Sequence, residues 1–394
     1  MDSLRRERSV LRFCLVAFGV LLTGGAGWLL GLCGPFADIG DGTFCPFVLE
    51  IFSLGITTGV TPTTYAPNDA VTRLQMAGFL SRTVDRVLQR GNRRSAAKQY
   101  WTPQNNTLLG GTTISGGGLE QVESDGADLW VSTTGDTVVR VRGSDGRVLE
   151  TWTGASAAFG VQVALGRVFV SGMVSPGRLH MINPSLPAGA VTTVASTLGD
   201  RSTGIAFDGL RIWTANLGNG SPGTGSVSLI TPGASIPWAV STVSLGFSTP
   251  QGALFDGANV WVTDSNLNQI LKLSSFGSIL QSVTVGTLPT YPMFDGTNIW
   301  VPNNDSSSVT VLRASSGAVL ATLTGNGVSA PNSVAFDGER VLVTNASGNK
   351  VSLFKAADLT PIGSFPIAAG QQTGACSDGI NFWVAVFSNP LVRF

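Results

Sequence analysis

The sequence predicts a mainly β protein: a seven-bladed β-propeller preceded by a small α-helical module. Three observations carry this expectation. Glycine supplies 50 of 394 residues and charged residues only 12%, against usual shares of ~7% and ~25%. A motif of the form apolar-Phe-Asp-Gly-x-x-apolar-Trp recurs through the last two thirds of the chain, its glycines 39 to 48 residues apart. The final copy is one strand short, and a spare strand precedes the first copy. The 24 basic and 24 acidic residues cancel, which excludes the basic excess that nucleic-acid binding requires. A coiled coil or helical bundle would be richer in Lys, Glu and Leu. Disorder is excluded by a hydrophobic share of 43%, enough to build a core.

The zero net charge hides an asymmetry. Residues 1–100 carry 11 Lys and Arg against 7 Asp and Glu, and residues 101–394 carry 13 against 17. Arg5, Arg6, Arg8 and Arg12 precede an uncharged stretch that runs to Asp38. Within it, Phe13–Leu22 is apolar and Gly24-Gly-Ala26 supplies small residues. A basic start, an apolar stretch of ~10 residues and a small-residue site make a secretory signal. The uncharged stretch also exceeds the ~20 residues that span a bilayer, so an uncleaved anchor is the other reading of residues 1–34. Either way the chain is exported, to the cell surface or beyond. Its only membrane contact is through this segment. Cys33 and Cys45 bracket a short loop and are the candidate disulfide of an exported chain. Cys376 reads as a small buried hydrophobe, and no cysteine spacing fits zinc.

Residues 35–90 read as the helical module. Residues 46–54 give a short amphipathic helix, ended by Gly55-Ile-Thr-Thr-Gly59. A second helix starts at Thr72, where Thr72-Arg-Leu-Gln75 has capping-box spacing: the Thr hydroxyl serves the N3 amide and Gln75 reaches back. Phe36-Ala-Asp-Ile39, Ile51, Leu54, Gly55-Ile56, Gly59, Tyr65, Pro67, Val71-Thr72-Arg73, Met76 and Leu80 occur in order, and with them the segment resembles an S-layer homology module. The resemblance implies attachment to the cell envelope through a cell-wall polysaccharide, with Asp38 and Arg73 as glycan-site residues. The Arg guanidinium suits an acidic glycan, because its planar fork pairs with carboxylates at two points. Residues 91–106 follow as a linker, basic through Arg93, Arg94 and Lys98.

From 107 to 394 the chain is repetitive. The motif stands as Ala206-Phe-Asp-Gly-Leu-Arg-Ile-Trp213, Leu254-Phe-Asp-Gly-Ala-Asn-Val-Trp261 and Met293-Phe-Asp-Gly-Thr-Asn-Ile-Trp300. Variant copies end at Trp130, Trp383, Leu342 and Phe169, the last in a copy one residue shorter. A period near 40 with four strands per unit marks propeller blades. Asp-Gly makes the hairpin between the first two strands, and the recurring Trp packs between blades. The segment before the first repeat, Thr107–Ile114, supplies the strand the last unit lacks, so that no sheet edge is left exposed. These repeats resemble the NHL and YVTN propeller families, with their streptogramin-lyase-like and gluconolactonase-like relatives. That resemblance implies the fold; a propeller hosts many functions.

Candidate chemistry is sparse. The single histidine, His180, has no G-x-S-x-G nucleophile elbow to serve, and no histidine falls late in the chain, where the streptogramin-lyase motif uses one. Five residues before the motif's Asp (Leu165 in the short copy), which serves as the marker of each repeat, the inner strands place Glu120, Gly160, Thr203, Gln251, Thr290, Asn332 and Thr373 in a ring. This ring is the candidate ligand site at the axial mouth, where propeller ligands often sit. Its oxygen atoms suit a divalent cation, the one cofactor entertained. The sequence thus points to an envelope-associated propeller that binds rather than catalyses, with a cell-wall polysaccharide or a surface protein as partner. An exported lactonase- or lyase-like enzyme and a self-assembling, homo-oligomeric surface component are the alternatives.

Overall fold

The computed structural model describes residues 36–39, 44–53, 56–61, 63–73, 75–80, 109–388 and 390–394. The expected signal or anchor, Cys33 and the linker at 91–106 lie outside the described residues. The chain divides into two units, Met1–Ala96 and Ala97–Phe394. Among the described residues no helix is long and apolar enough to cross a membrane.

In the first unit, helix α1 (Cys45–Ser53) packs Val48 onto Phe36 and Ile39, with Cys45, Leu49 and Tyr65 beside them. Phe36 is the centre: Phe52 meets its ring edge-on at 5.2 Å and Tyr65 lies 5.4 Å away. Gly59 has φ +77°, and a Cβ there would stand 2.5 Å from the Phe36 ring. Only glycine fits this left-handed, crowded position. Residues 75–80 are helical. The capping box forms at their start: Gln75 N donates to Thr72 Oγ1 at 3.2 Å and Thr72 N donates to Gln75 Oε1 at 2.9 Å.

The second unit is the seven-bladed propeller. Its strands form seven four-stranded antiparallel sheets. Blade one runs through β2 (Leu119–Ser124), β3 (Asp128–Thr133), β4 (Thr137–Arg142) and β5 (Val148–Thr153). Blades two to six repeat the plan from inner strands β6 (Ala158–Ala164), β10 (Ser202–Phe207), β14 (Pro250–Phe255), β18 (Met293–Phe294) and β22 (Pro331–Phe336). Blade seven has β26 (Gln372–Ser377), β27 (Phe382–Val386) and β28 (Leu391–Arg393), with β1 (Gly110–Thr112) as its outer strand. Gly111 there pairs with Val392. The inner strands contact one another around the axis, and β26 meets β2.

Burial follows the radius. Second strands such as β3 are buried throughout, as expected for strands covered on both faces. The outer strand Ala239–Val243 has no buried residue. The core consists of seven clusters, each shared by two neighbouring blades. Trp130 packs on Val161, Val168 and Val170 of blade two, and Trp213 packs on Val260, Val262 and Leu271 of blade four. Trp261, Trp300 and Trp383 do the same one blade further on. Phe169 and Leu342 fill the equivalent place in blades two and six.

The Asp of each Asp-Gly turn does more than make a hairpin. Asp256 Oδ1 accepts from the backbone N–H of Ala258 and Asn259, while Oδ2 accepts from Trp261 Nε1 at 2.7 Å. Asp125, Asp208, Asp295 and Asp378 hold Trp130, Trp213, Trp300 and Trp383 likewise, at 2.7 to 2.9 Å. The motif's Asp and Trp are therefore one unit: the carboxylate satisfies the buried indole N–H, which would be costly to leave unpaired. In blade six, Leu342 has no N–H, and Asp337 Oδ2 instead accepts from Arg340 Nε at 2.9 Å.

Candidate binding site at the propeller axis

Most inner strands begin with an irregularity. In blade one, Leu119 pairs with Thr133 and Val122 with Val131, so Glu120 and Gln121 form a bulge. The same break recurs in blades two, three, four, six and seven. Register defines the ring better than residue counting does. Ala158 pairs with Gly172 and Val161 with Val170, so Phe159 is the equivalent of Glu120. Gly160, expected there, is displaced by one because the turn of blade two is a residue shorter.

The ring residues divide into two kinds. Thr203, Thr290 and Thr373 are buried, and their hydroxyls donate to backbone carbonyls of the next blade. The acceptors are Gln251 O at 2.9 Å, Asn332 O at 2.7 Å and Leu119 O at 2.8 Å. These threonines staple inner strand to inner strand. Asn332 Nδ2 also donates to a carbonyl, that of Thr373, at 2.6 Å. Glu120 and Gln251 are instead tied to Tyr291, Glu120 through its charge. Gln251 Nε2 donates to the Tyr291 hydroxyl at 3.4 Å. Tyr291 belongs to blade five, yet its ring lies 5.8 Å from that of Phe159 in blade two, so it reaches across the axis.

Below this ring lies a cavity of about 380 Å³ whose lining comes from the inner strands of all seven blades. Its walls mix apolar side chains, Phe207, Phe255, Met293 and Phe294 among them, with polar groups from Gln121, Glu123, Gln162, Tyr291, Ser333 and the backbone. No Lys, Arg or His lines it. Burial pushes the carboxyls of Glu120 and Glu123 up to about 7 each, because the low-dielectric surroundings disfavour the anion. Burial, and then the charge of Glu120, push the Tyr291 phenol above its ordinary range, against the Gln251 hydrogen bond. Among the described residues no group of three or more His, Cys, Asp or Glu side chains is placed to hold a metal ion.

Reasoning from single positions missed Phe159, Tyr291, Gln121 and Glu123. Tyr291 had a signal. By register its place is held by Gly160, Gly204, Gly252 and Gly374 in four other blades. Those glycines admit the neighbouring strand: a Cβ on Gly204 would stand 2.5 Å from Gln251 O. A tyrosine in a glycine column marks a side chain directed elsewhere, here over the axis.

His180 is wholly buried on the third strand of blade two, away from this site; its Nδ1 lies 3.1 Å from Thr193 Oγ1. In the first unit, Asp38 accepts from Tyr65 N at 2.9 Å and Ala66 N at 2.6 Å. Its carboxylate thus pins the loop that follows Gly59, and the Tyr65 bond leads in holding its pKa below the usual range. Arg73 is exposed at the start of the second helix. Cys45 is disulfide-bonded, and Cys376 is a buried free thiol.

Residues 35–77 match the S-layer homology domain family. No curated protein matches the chain. Among solved structures, the WD40 β-propeller domain of Doa1 is 11% identical, covering 74% of this chain and 97% of that one, with a TM-score of 0.61. A streptogramin B lyase is 15% identical, covering 72% and 96%, with a TM-score of 0.60. A catalytically inactive variant of virginiamycin B lyase from Staphylococcus aureus, with quinupristin, is 16% identical, covering 72% and 97%, with a TM-score of 0.60. At these identities the likeness is one of fold.

Proposed function

We propose that this protein is an exported, envelope-attached propeller whose first unit holds it to a cell-wall polysaccharide and whose propeller binds a ligand without transforming it. The S-layer homology domain at 35–77 carries this reading, since such domains generally bind cell-wall polymers. Arg73 supports it in detail. It is exposed at the helix start, where its guanidinium is free to pair with an acidic sugar at two points. Asp38 supports it indirectly, by fixing the loop that leads to that helix. Retention of the full chain on purified cell-wall polysaccharide tests the reading. Wild type is expected to sediment with the polymer, and Arg73→Ala to lose about tenfold in affinity, as for a charge-assisted pair. Equal retention of both proteins rejects the arginine's role, and no retention of either rejects the attachment.

A second reading, a lyase- or lactonase-like activity, is favoured by one observation. Glu120 has a carboxyl titrating at about 7 beside a tyrosine hydroxyl, which is the range in which a general base works at neutral pH. Turnover of lactone substrates that is abolished in Glu120→Gln would support it.

A further inference from the structure

One carboxylate, Glu123, lines the axial cavity and a second, Glu120, three residues earlier on the same strand, stands next to its Tyr291; among the described residues no Lys, Arg or His lines it. Burial is the one cause acting on either carboxyl; neither has an ion-pair partner among the described residues. The other groups that face them are neutral at physiological pH. The Cys376 thiol feels the charges of Glu123 and Asp378, and the Tyr291 phenol feels that of Glu120. The Asp378 carboxylate is itself engaged by Trp383 and by the backbone of its turn. Around the acids stand aromatic rings: Phe159 and Tyr291 at one end, Phe207, Phe255 and Phe294 along the walls.

We propose that the axial cavity is a binding site for a small organic ammonium ion with an apolar or aromatic body, held by Glu123 and Tyr291 of its wall, with Glu120 and Phe159 beside Tyr291 at the ring end. The size fits: cavities of roughly 300–1,000 Å³ hold small organic ligands, and this one lies at the low end. The charge fits as well. A buried carboxylate with no ion-pair partner gains from a cation, and aromatic faces attract cations through their quadrupoles. An anion would face the Glu123 carboxylate and no basic side chain. The proposal rests on the reading of the propeller as a binding body, not on polysaccharide attachment, so failure of cell-wall retention leaves it standing.

The probes are benzylamine, benzyl alcohol and benzoate, which share one ring and differ in charge. Each is titrated into the full chain at pH 8, followed by ligand-observed saturation-transfer NMR. Benzylammonium is expected to bind at least tenfold more tightly than benzyl alcohol, and benzoate not at all. Glu123→Gln and, separately, Glu120→Gln should each weaken benzylammonium several-fold while leaving benzyl alcohol unchanged. Wild-type affinity for benzylammonium should fall from pH 8 to pH 6 as the two carboxyls take up protons, a dependence absent from the double variant. Comparable binding of all three probes overturns the proposal. So does undiminished benzylammonium binding in both variants, with circular dichroism confirming that each is folded.

Discussion

The two units of this chain solve the same burial problem with different means. The first builds its core on Phe36, Ile39 and Val48 and leaves Phe44, Phe47, Val60 and Leu80 exposed. A module of this size has a small core and marginal stability, so added constraints count. It adds a carboxylate clamp at Asp38, a capping box at Thr72 and a disulfide at Cys45. The propeller also uses carboxylate clamps, at its Asp-Gly turns, but its one cysteine, Cys376, is a free thiol. Each blade buries its neighbour's large residue, and five tryptophans are almost entirely inaccessible. Repetition is what makes the difference. A blade cannot cover its own faces, but seven in a closed ring cover one another.

The sharpest way to break the contrast is to remove one member of an inter-blade cluster. Trp261 is wholly buried, hydrogen-bonded to Asp256 and stacked beneath the Lys272 ammonium at 5.2 Å. Trp261→Ala is expected to destabilise the propeller by about 3–5 kcal/mol in denaturant titrations, the usual cost of emptying a large buried aromatic site. Binding to cell-wall polysaccharide by the first unit should persist under native conditions. A loss below about 1 kcal/mol would show that the ring tolerates a missing spoke.

The converse experiment strikes the module. Gly59→Ala forces a side chain into left-handed backbone and against Phe36. The expected cost is about 2–3 kcal/mol, from the backbone penalty and local overpacking together. Hydrogen exchange should accelerate at the backbone amides around Phe36 and stay unchanged in the blades. Unchanged protection near Phe36 would mean that Gly59 is not a structural pivot.

The gentlest test uses pH and separates the axial Glu123 from the buried His180 of blade two. Glu123 titrates at about 7 in the fold against an ordinary 4.5. Its raised value contributes stability fully below pH 4.5, which is lost as pH rises through 7. His180 runs the other way. Burial, aided by the charge of Arg178, lowers it from 6.5 to about 4, so its contribution is present above pH 6.5 and lost as pH falls through 4. Glu123→Gln should therefore raise stability at pH 8 by on the order of 2 kcal/mol and change little at pH 4. Equal gains at both pH values would assign the effect to packing instead of ionisation.

The propeller was legible because its repeat is local. Phe-Asp-Gly and Trp lie within eight residues, and their chemistry closes within one hairpin, so every copy announces itself. The module was legible for a similar reason: Asp38, Gly59 and the Thr72 cap meet requirements of turn and helix geometry that tolerate few residue types. The axial site was legible only in outline. Counting back from the marker found Glu120 and Gln251 but misread blade two, where a shorter turn shifts Phe159 into the ring. It could not reveal that the threonine hydroxyls serve neighbouring backbones. That depends on how closely one inner strand approaches the next.

The sequence by itself thus determined the number of blades, the inter-blade tryptophans and the separate N-terminal module, because local periodicity and turn chemistry dictate them. Tertiary structure alone decided what stands at the axis. Tyr291 meets Phe159, 132 positions away in the chain, and Glu120 acts on that same tyrosine. These residues become neighbours only when blade seven meets blade one, since ring closure sets the width of the axis and so which side chains span it.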